Sequence, residues 1–88
     1  MKEKSIVYYV YILECNDKSL YIGSTNNLEK RLHAHNHLKS GAHYTKIRRP
    51  VILKYFMKHM TYAEVRKHEG KLKTLTRAEK LSLIKYFI

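Results

Sequence analysis

The chain is poor in several residue types: it has no tryptophan, one cysteine, one proline and only seven acidic residues among 88. The single cysteine, Cys15, excludes an internal disulfide, and no catalytic cysteine signature surrounds it. The longest apolar run, Ile6 to Leu13, is far shorter than the roughly 20 residues of a membrane helix. No small-residue cleavage site follows it. These absences favour a cytoplasmic protein outside the membrane.

Positive charge is what the chain has in excess. It carries 18 Lys and Arg against 7 Asp and Glu, a net charge of +11. Such an excess favours a polyanionic partner, nucleic acid first and an anionic membrane surface second. With 88 residues, 44% of them hydrophobic, residues 1–88 are expected to form one domain with one small core.

The hydrophobic pattern predicts an α+β fold, a small three-stranded antiparallel sheet flanked by helices in the order β-β-α-β-α-α. Ile6 to Glu14 and Leu20 to Gly23 are predicted to form an antiparallel hairpin. A helix from Asn27 to about Lys39 follows, capped by Thr25 or Asn26. The remaining predicted elements are a basic loop over 42–50, a strand over 51–58, and two helices that open with capping boxes, Thr61 with Glu64 and Thr76 with Glu79.

The first predicted helix places two polar residues against its apolar face. At about 100° per residue, His35 falls between Leu28 and Leu32, and Arg31 lies at the edge of that face. Two interpretations stay open: a snorkelling arginine with a satisfied core histidine, or a pair that binds a ligand. The histidines His33 and His37 point the opposite way, which argues against a zinc site in this run.

The second predicted helix places a carboxylate inside its apolar stripe. Glu69 lies next to Val65 in angle, and a carboxylate there must be paired, protonated or bound to a metal. An internal salt bridge, for example to Arg31, and metal ligation fit this spacing equally well. The stripe itself is Tyr62, Val65, Leu72 and Leu75, and the last helix is predicted to bury Ala78, Leu81, Ile84 and Ile88.

Two tyrosines complete a pattern of catalytic type. One tyrosine alone indicates little, because tyrosine is a good strand residue and the chain has eight. Taken with Arg31, His35 and Glu69, however, the motifs resemble the GIY-YIG nuclease family. Tyr9-Val10-Tyr11 stands where that family has Gly-Ile-Tyr, and Tyr21-Ile22-Gly23 matches its second motif. The resemblance covers almost the whole chain. Tyr9 replaces the motif's first glycine, and its ring would narrow the site.

The resemblance implies a mechanism and a role for each residue. One divalent metal, Mg²⁺ or Mn²⁺, would sit on Glu69 and hold the scissile phosphate. Tyr11 would act as general base toward a water, and Tyr21 would position the water or the phosphate. Arg31 would neutralise charge on the phosphoryl oxygens, and His35 would hydrogen-bond Tyr11 or the phosphate.

The expected partner is DNA. The residues expected to follow backbone phosphates are Lys39, Lys46, Arg48 and Arg49, unless these form only a solvated basic surface. Nothing resembles a sequence-reading helix, so a branched, flapped or single-stranded substrate is expected. The expected protein is a monomeric endonuclease of DNA repair or recombination. The alternatives are a non-catalytic nucleic-acid-binding module and a small basic protein that joins a larger repair complex.

Overall fold

A computed structural model describes residues 6–87 and confirms the α+β class. The strands are β1 (Tyr8–Glu14), β2 (Leu20–Thr25) and β3 (Ile52–His59), and they form one antiparallel sheet in the order β2-β1-β3. The helices are α1 (Leu28–His37), α2 (His43–Lys46), α3 (Tyr62–Lys73) and α4 (Arg77–Lys85). All six predicted elements are present, and α2 adds one turn inside the predicted basic loop. Within residues 6–87, no helix has the length and apolar character to cross a membrane.

The central strand β1 separates two hydrophobic clusters. Val10 and Ile12 point to one face, where they pack with Val65 and Leu72 of α3. Tyr11 points to the other face, where it packs among residues of α1 and β3. Both faces of β1 are therefore covered, which explains why its sequence is continuously apolar and aromatic rather than alternating.

The predicted cap of α1 was wrong by one or two residues. Asn27 is the N-cap, and its side chain accepts a hydrogen bond from the Lys30 N–H at 3.0 Å. Thr25 instead accepts from the Asn27 N–H at 3.1 Å and so shapes the turn before the helix. At the other end α1 stops at His37 rather than near Lys39.

The last helix packs only part of the predicted face against the sheet: Ile84 lies there as expected, and the other described members do not. Its capping box forms as expected between Thr76 and Glu79. Leu81 is 38% exposed, whereas Leu83 and Ile84 pack against the cluster around Val10. The prediction was wrong for Leu81 because tertiary packing, rather than helical periodicity alone, sets which side of this short helix meets the sheet. Ala78, also predicted on the buried face of α4, is exposed, and Ile88 lies outside the described residues. In α3, Tyr62 was predicted in the apolar stripe but is also exposed.

Two glycines should respond oppositely to alanine. A Cβ at Gly70, inside α3, would meet nothing within 4 Å, so Gly70→Ala should stabilise the fold by about 0.5–1 kcal/mol through helix propensity. A Cβ at Gly41 would overlap the Ala34 carbonyl oxygen. Gly41→Ala should therefore destabilise the fold by about 1–3 kcal/mol. Urea unfolding measures both, and equal effects at the two positions would contradict the packing described at Gly41.

Candidate active site

A chain of buried hydrogen bonds joins the sheet to two helices. The Tyr11 hydroxyl lies 2.8 Å from His35 Nε2, and His35 Nδ1 lies 2.8 Å from Thr45 Oγ1. The Thr45 hydroxyl also donates to the Ala42 carbonyl at 2.9 Å. Tyr11 is 2% exposed, and His35 and Thr45 are fully buried. The histidine predicted to lie on the apolar face of α1 is thus buried and hydrogen-bonded on both ring nitrogens.

Gly23, the glycine of Tyr21-Ile22-Gly23, leaves room for the Tyr11 ring that starts this series of hydrogen bonds. Gly23 pairs with Tyr11 across the β1–β2 ladder. A Cβ at Gly23 would lie 2.5 Å from the Tyr11 hydroxyl oxygen and 2.7 Å from Cζ. The phenol therefore packs against a backbone that only glycine presents without a clash.

Burial and nearby charge keep Tyr11 and His35 neutral near pH 7. Burial raises the pKa of Tyr11 to about 12; nearby Arg31 opposes this increase, and the charges of Tyr21 and Glu69 add to it. Burial also lowers the pKa of His35 to about 4, and the positive charges of Arg31 and Arg49 contribute to that decrease. Tyr11 therefore lies within electrostatic reach of three predicted site residues.

Tyr21 lies directly beside the imidazole. Its ring meets the edge of His35 with centroids 5.2 Å apart, and it stacks on Tyr44 at 5.9 Å. The other neighbour of Tyr44 is Arg48, whose guanidinium carbon lies 3.8 Å from the ring centroid. The two motif tyrosines and His35 thus form one contiguous group on the α1 side of the sheet.

Glu69 lies on the opposite face of the sheet from the Tyr11–His35 pair. Helix α3 packs on the Val10 side of the sheet, and Ser24, which Glu69 contacts, pairs with Val10 across the ladder and shares that face. The Ser24 hydroxyl donates to Glu69 Oε1 at 2.8 Å, and Lys73 Nζ lies 3.0 Å from Oε2. Burial opposes ionisation of the carboxyl, but these bonds and the charge of Arg66 hold its pKa below the usual range.

The sequence left open whether Glu69 forms a salt bridge or binds a metal, and its surroundings answer the first part. Glu69 is 7% exposed and ionised, and it forms a salt bridge as one interpretation expected. Its partners among residues 6–87 are Lys73 and, at 3.8 Å, Arg66 rather than Arg31. Arg31 instead donates to the Ser40 carbonyl at 3.0 Å.

The ligand atoms around Glu69 suit a hard cation. Within the described part of the chain, no three His, Cys, Asp or Glu side chains cluster closely enough to enclose a metal. A closed zinc site is therefore a poor fit. One carboxylate beside the hydroxyl of Ser24 fits Mg²⁺ or Mn²⁺, because Mg²⁺ is usually held by one or two carboxylates and keeps waters and phosphate oxygens as its other ligands. Such a cation would replace Lys73 as the counter-ion of Glu69.

The predicted DNA-binding residues differ in their surroundings. Lys39 and Lys46 are exposed, and Lys46 Nζ donates to the Lys39 carbonyl at 3.1 Å. Arg48 is half-buried and pairs with Asp17 at 3.0 Å. Arg49 is engaged with the C-terminal end of α1, where its guanidinium donates to the carbonyls of Ala34, His35 and Leu38.

The other residues singled out by sequence lie outside the hydrogen-bonded group. His33 and His37 are exposed as expected, with ring centroids 4.8 Å apart. Tyr9, at the position of the motif glycine, is half-buried and packs edge-on against Phe56 at 6.1 Å. Sequence reasoning missed Ser24, Thr45 and Lys73, although Lys73 stands four residues after Glu69 and helix spacing alone places the two side by side.

Known proteins share both the motifs and the length of this chain. Residues 7–82 match the family described as the GIY-YIG catalytic domain. A UPF0213 protein of Syntrophus aciditrophicus is 56% identical over 77 residues, which span 88% of each chain. A UPF0213 protein of Clostridium perfringens is 54% identical over 86% of this chain and 81% of its own.

Solved structures agree with these sequence relatives. The solution NMR structure of a protein from E. faecalis superposes with a TM-score of 0.64 at 40% identity, covering 99% of this chain and 91% of its own. The UPF0213 protein of Bacillus halodurans superposes with a TM-score of 0.58 at 35% identity, covering 90% and 83%. Motifs, fold and relatives coincide, and the chain therefore belongs to the GIY-YIG family.

Proposed function

We propose that the chain is a metal-dependent endonuclease that hydrolyses phosphodiester bonds in DNA. The observation that carries the proposal is the buried hydrogen bond between Tyr11 and His35, within electrostatic reach of Arg31 and an ionised Glu69. The hydrogen-bond partner of the phenol, His35, can accept its proton, and the charges that act on the phenol come from Arg31, which can bind phosphate, and from Glu69, which can hold a cation.

Each residue of this group has a distinct task in the proposed reaction. Tyr11 removes a proton from the attacking water, and His35 accepts the hydrogen bond of the phenol. Arg31 is half-buried and its charge acts on Tyr11, so its guanidinium can neutralise charge on the phosphoryl oxygens. Tyr21, next to His35, orients the water or the phosphate. Glu69, oriented by Ser24, would hold the divalent cation, which supplies Lewis-acid stabilisation of the leaving oxygen.

DNA recognition is proposed to be independent of base sequence. The exposed ammonium groups of Lys39 and Lys46 suit backbone phosphates, and Arg48 extends the row of Tyr21 and Tyr44. Arg49 is proposed to act indirectly, by fixing the end of α1. A branched, flapped or single-stranded substrate, cut by a monomer in DNA repair or recombination, agrees best with contacts of this kind. We propose that residues 1–88 act as one cytoplasmic domain.

Conservative substitutions at Tyr11 and Glu69 test the chemistry. Tyr11→Phe keeps the ring but removes the hydroxyl, and Glu69→Gln removes the charge that would hold the cation. Each should lower the rate of cleavage of branched and single-stranded oligonucleotides in Mg²⁺ or Mn²⁺ by about 10²-fold or more. Binding to DNA should change little, because the exposed cations are intact.

Matched controls separate catalysis from general damage. Tyr55→Phe removes a hydroxyl from a buried tyrosine on the other side of the sheet, and Glu64→Gln neutralises an exposed acid on α3. Both should cleave at the wild-type rate. Full activity in Tyr11→Phe would reject the role of Tyr11. Tight binding without cleavage by the wild-type protein on every substrate would instead support the non-catalytic binding module.

The salt dependence of binding tests the exposed lysines. DNA affinity should fall steeply with salt because bound counterions are released, and removing one lysine that touches a phosphate should reduce the log–log slope by about one. The double substitution Lys39→Gln and Lys46→Gln should therefore lower the slope by about two. The paired control, Lys58→Gln with Lys85→Gln, removes the same charge from β3 and α4. Identical slopes for both double variants would show a merely solvated basic surface.

Gly23→Ala tests the placement of the phenol without touching its chemistry. The added methyl would overlap the Tyr11 hydroxyl, so the ring must move away from His35. Displacement of a reacting group by about 1 Å costs about 10²-fold in rate. Gly70→Ala is the control, since its methyl meets open space beside Glu69. Wild-type cleavage by folded Gly23→Ala protein would contradict the proposed geometry.

A further inference from the structure

Thr45 is a buried polar residue to which the proposed reaction assigns no task. It lies on the single-turn helix α2, and its hydroxyl has two neighbours, the Ala42 carbonyl oxygen and His35 Nδ1. The Ala42 carbonyl oxygen can only accept, and it receives the Thr45 hydroxyl at 2.9 Å alongside the Lys46 N–H at 3.0 Å. The oxygen of Thr45 must then accept from His35, which requires a hydrogen on Nδ1.

The other ring nitrogen of His35 is bare as a consequence. Imidazole in this position is neutral, because it is fully buried and the positive charges of Arg31 and Arg49 lie near it. A neutral ring with a hydrogen on Nδ1 has none on Nε2. The Tyr11 hydroxyl, 2.8 Å away, therefore donates to Nε2 rather than accepting from it.

We infer that Thr45 is a positioning residue that fixes the tautomer of His35, so that Nε2 can receive the proton of Tyr11 during phosphodiester hydrolysis. The inference rests on the proposed function for its catalytic part, whereas the tautomer is a property of the resting protein. Tautomer control by a fixed second partner is a known requirement of histidine in catalysis.

The proposed relay moves two protons while one bond to phosphorus forms and another breaks. The water oxygen bonds to phosphorus while a water proton passes to the Tyr11 hydroxyl oxygen. The original phenol proton passes to His35 Nε2, and the imidazolium keeps its Nδ1 hydrogen bond to Thr45. The bond from phosphorus to the leaving oxygen breaks, and the electron pair stays on that oxygen. Free phenolate, scarce near pH 7 for a phenol with a pKa of about 12, need not accumulate.

Phosphate binding would favour this transfer. Arg31 is one of two cations that disfavour a charged His35, and it is the residue proposed to contact the phosphoryl oxygens. A bound phosphodiester would offset that positive charge and make protonation of Nε2 easier. The relay would thus become competent when substrate is present.

Two substitutions at Thr45 separate the effect of its hydroxyl group from the effect of its side-chain volume. Thr45→Ser keeps a hydroxyl that can donate to Ala42 and accept from His35. Thr45→Val keeps the volume but offers no acceptor, which favours movement of the imidazole hydrogen from Nδ1 to Nε2. His35 would then donate to Tyr11 and block the relay.

The decisive measurement is ¹⁵N NMR of the imidazole nitrogens near pH 7, without DNA or metal. Wild type and Thr45→Ser should show a protonated Nδ1 and a bare Nε2, and folded Thr45→Val should show the reverse. Wild-type protein with the hydrogen on Nε2 overturns the inference, whether or not Thr45→Val folds. An unchanged tautomer in folded Thr45→Val also overturns it.

Cleavage assays provide the second measurement. Thr45→Ser should retain a kcat within a few-fold of wild type, and Thr45→Val should lose about 10²-fold in kcat with little change in KM. Wild-type kcat in folded Thr45→Val would overturn the relay. A wild-type protein that cuts no substrate would reject the proposed function and with it the catalytic part, while the NMR result would still decide the tautomer.

Discussion

The hydrogen bond between Tyr11 and His35 is the constraint on which the surrounding structure depends. It joins the central strand to α1 at a point where both partners are almost completely buried. A buried polar group without a partner costs about 1–3 kcal/mol, so the neighbouring segments must satisfy every atom of the pair. Gly23 leaves room for the phenol, and Thr45 satisfies the far side of the imidazole. One residue of α2 and one of the second motif thus contribute to satisfying this pair.

The two faces of the sheet differ in what they carry. Its Val10 face packs with α3 and α4, whereas its Tyr11 face carries the phenol, the imidazole and Tyr21. Glu69 belongs to a helix of the Val10 face and accepts a hydrogen bond from Ser24, which pairs with Val10 on that face. The phenol of Tyr11 and the carboxylate of Glu69 belong to opposite faces of the sheet, yet the charge of Glu69 still contributes to the raised pKa of Tyr11.

The sequence predicted most of the fold and the burial of the candidate residues His35 and Glu69, but not the contacts that these residues make. Periodicity placed His35 and Glu69 on buried faces, because helix geometry converts spacing directly into angle. It could not find Thr45, since a threonine in a polar loop carries no pattern of its own. It also could not show that Arg49 holds the end of α1 while Lys39 and Lys46 remain exposed. Those assignments depend on contacts between residues from separate elements.

The hydrogen bond between His35 and Thr45 spans ten residues of chain. Both ends of that segment are pinned in the interior, and Gly41 packs tightly against α1 between them. The number of residues in this segment is therefore fixed by the two contacts, even though many of its side chains face solvent. A protein engineer could vary exposed side chains such as Ser40 and His43 there. Inserting or deleting even one residue would shift the register of the connection and pull the threonine away from its histidine.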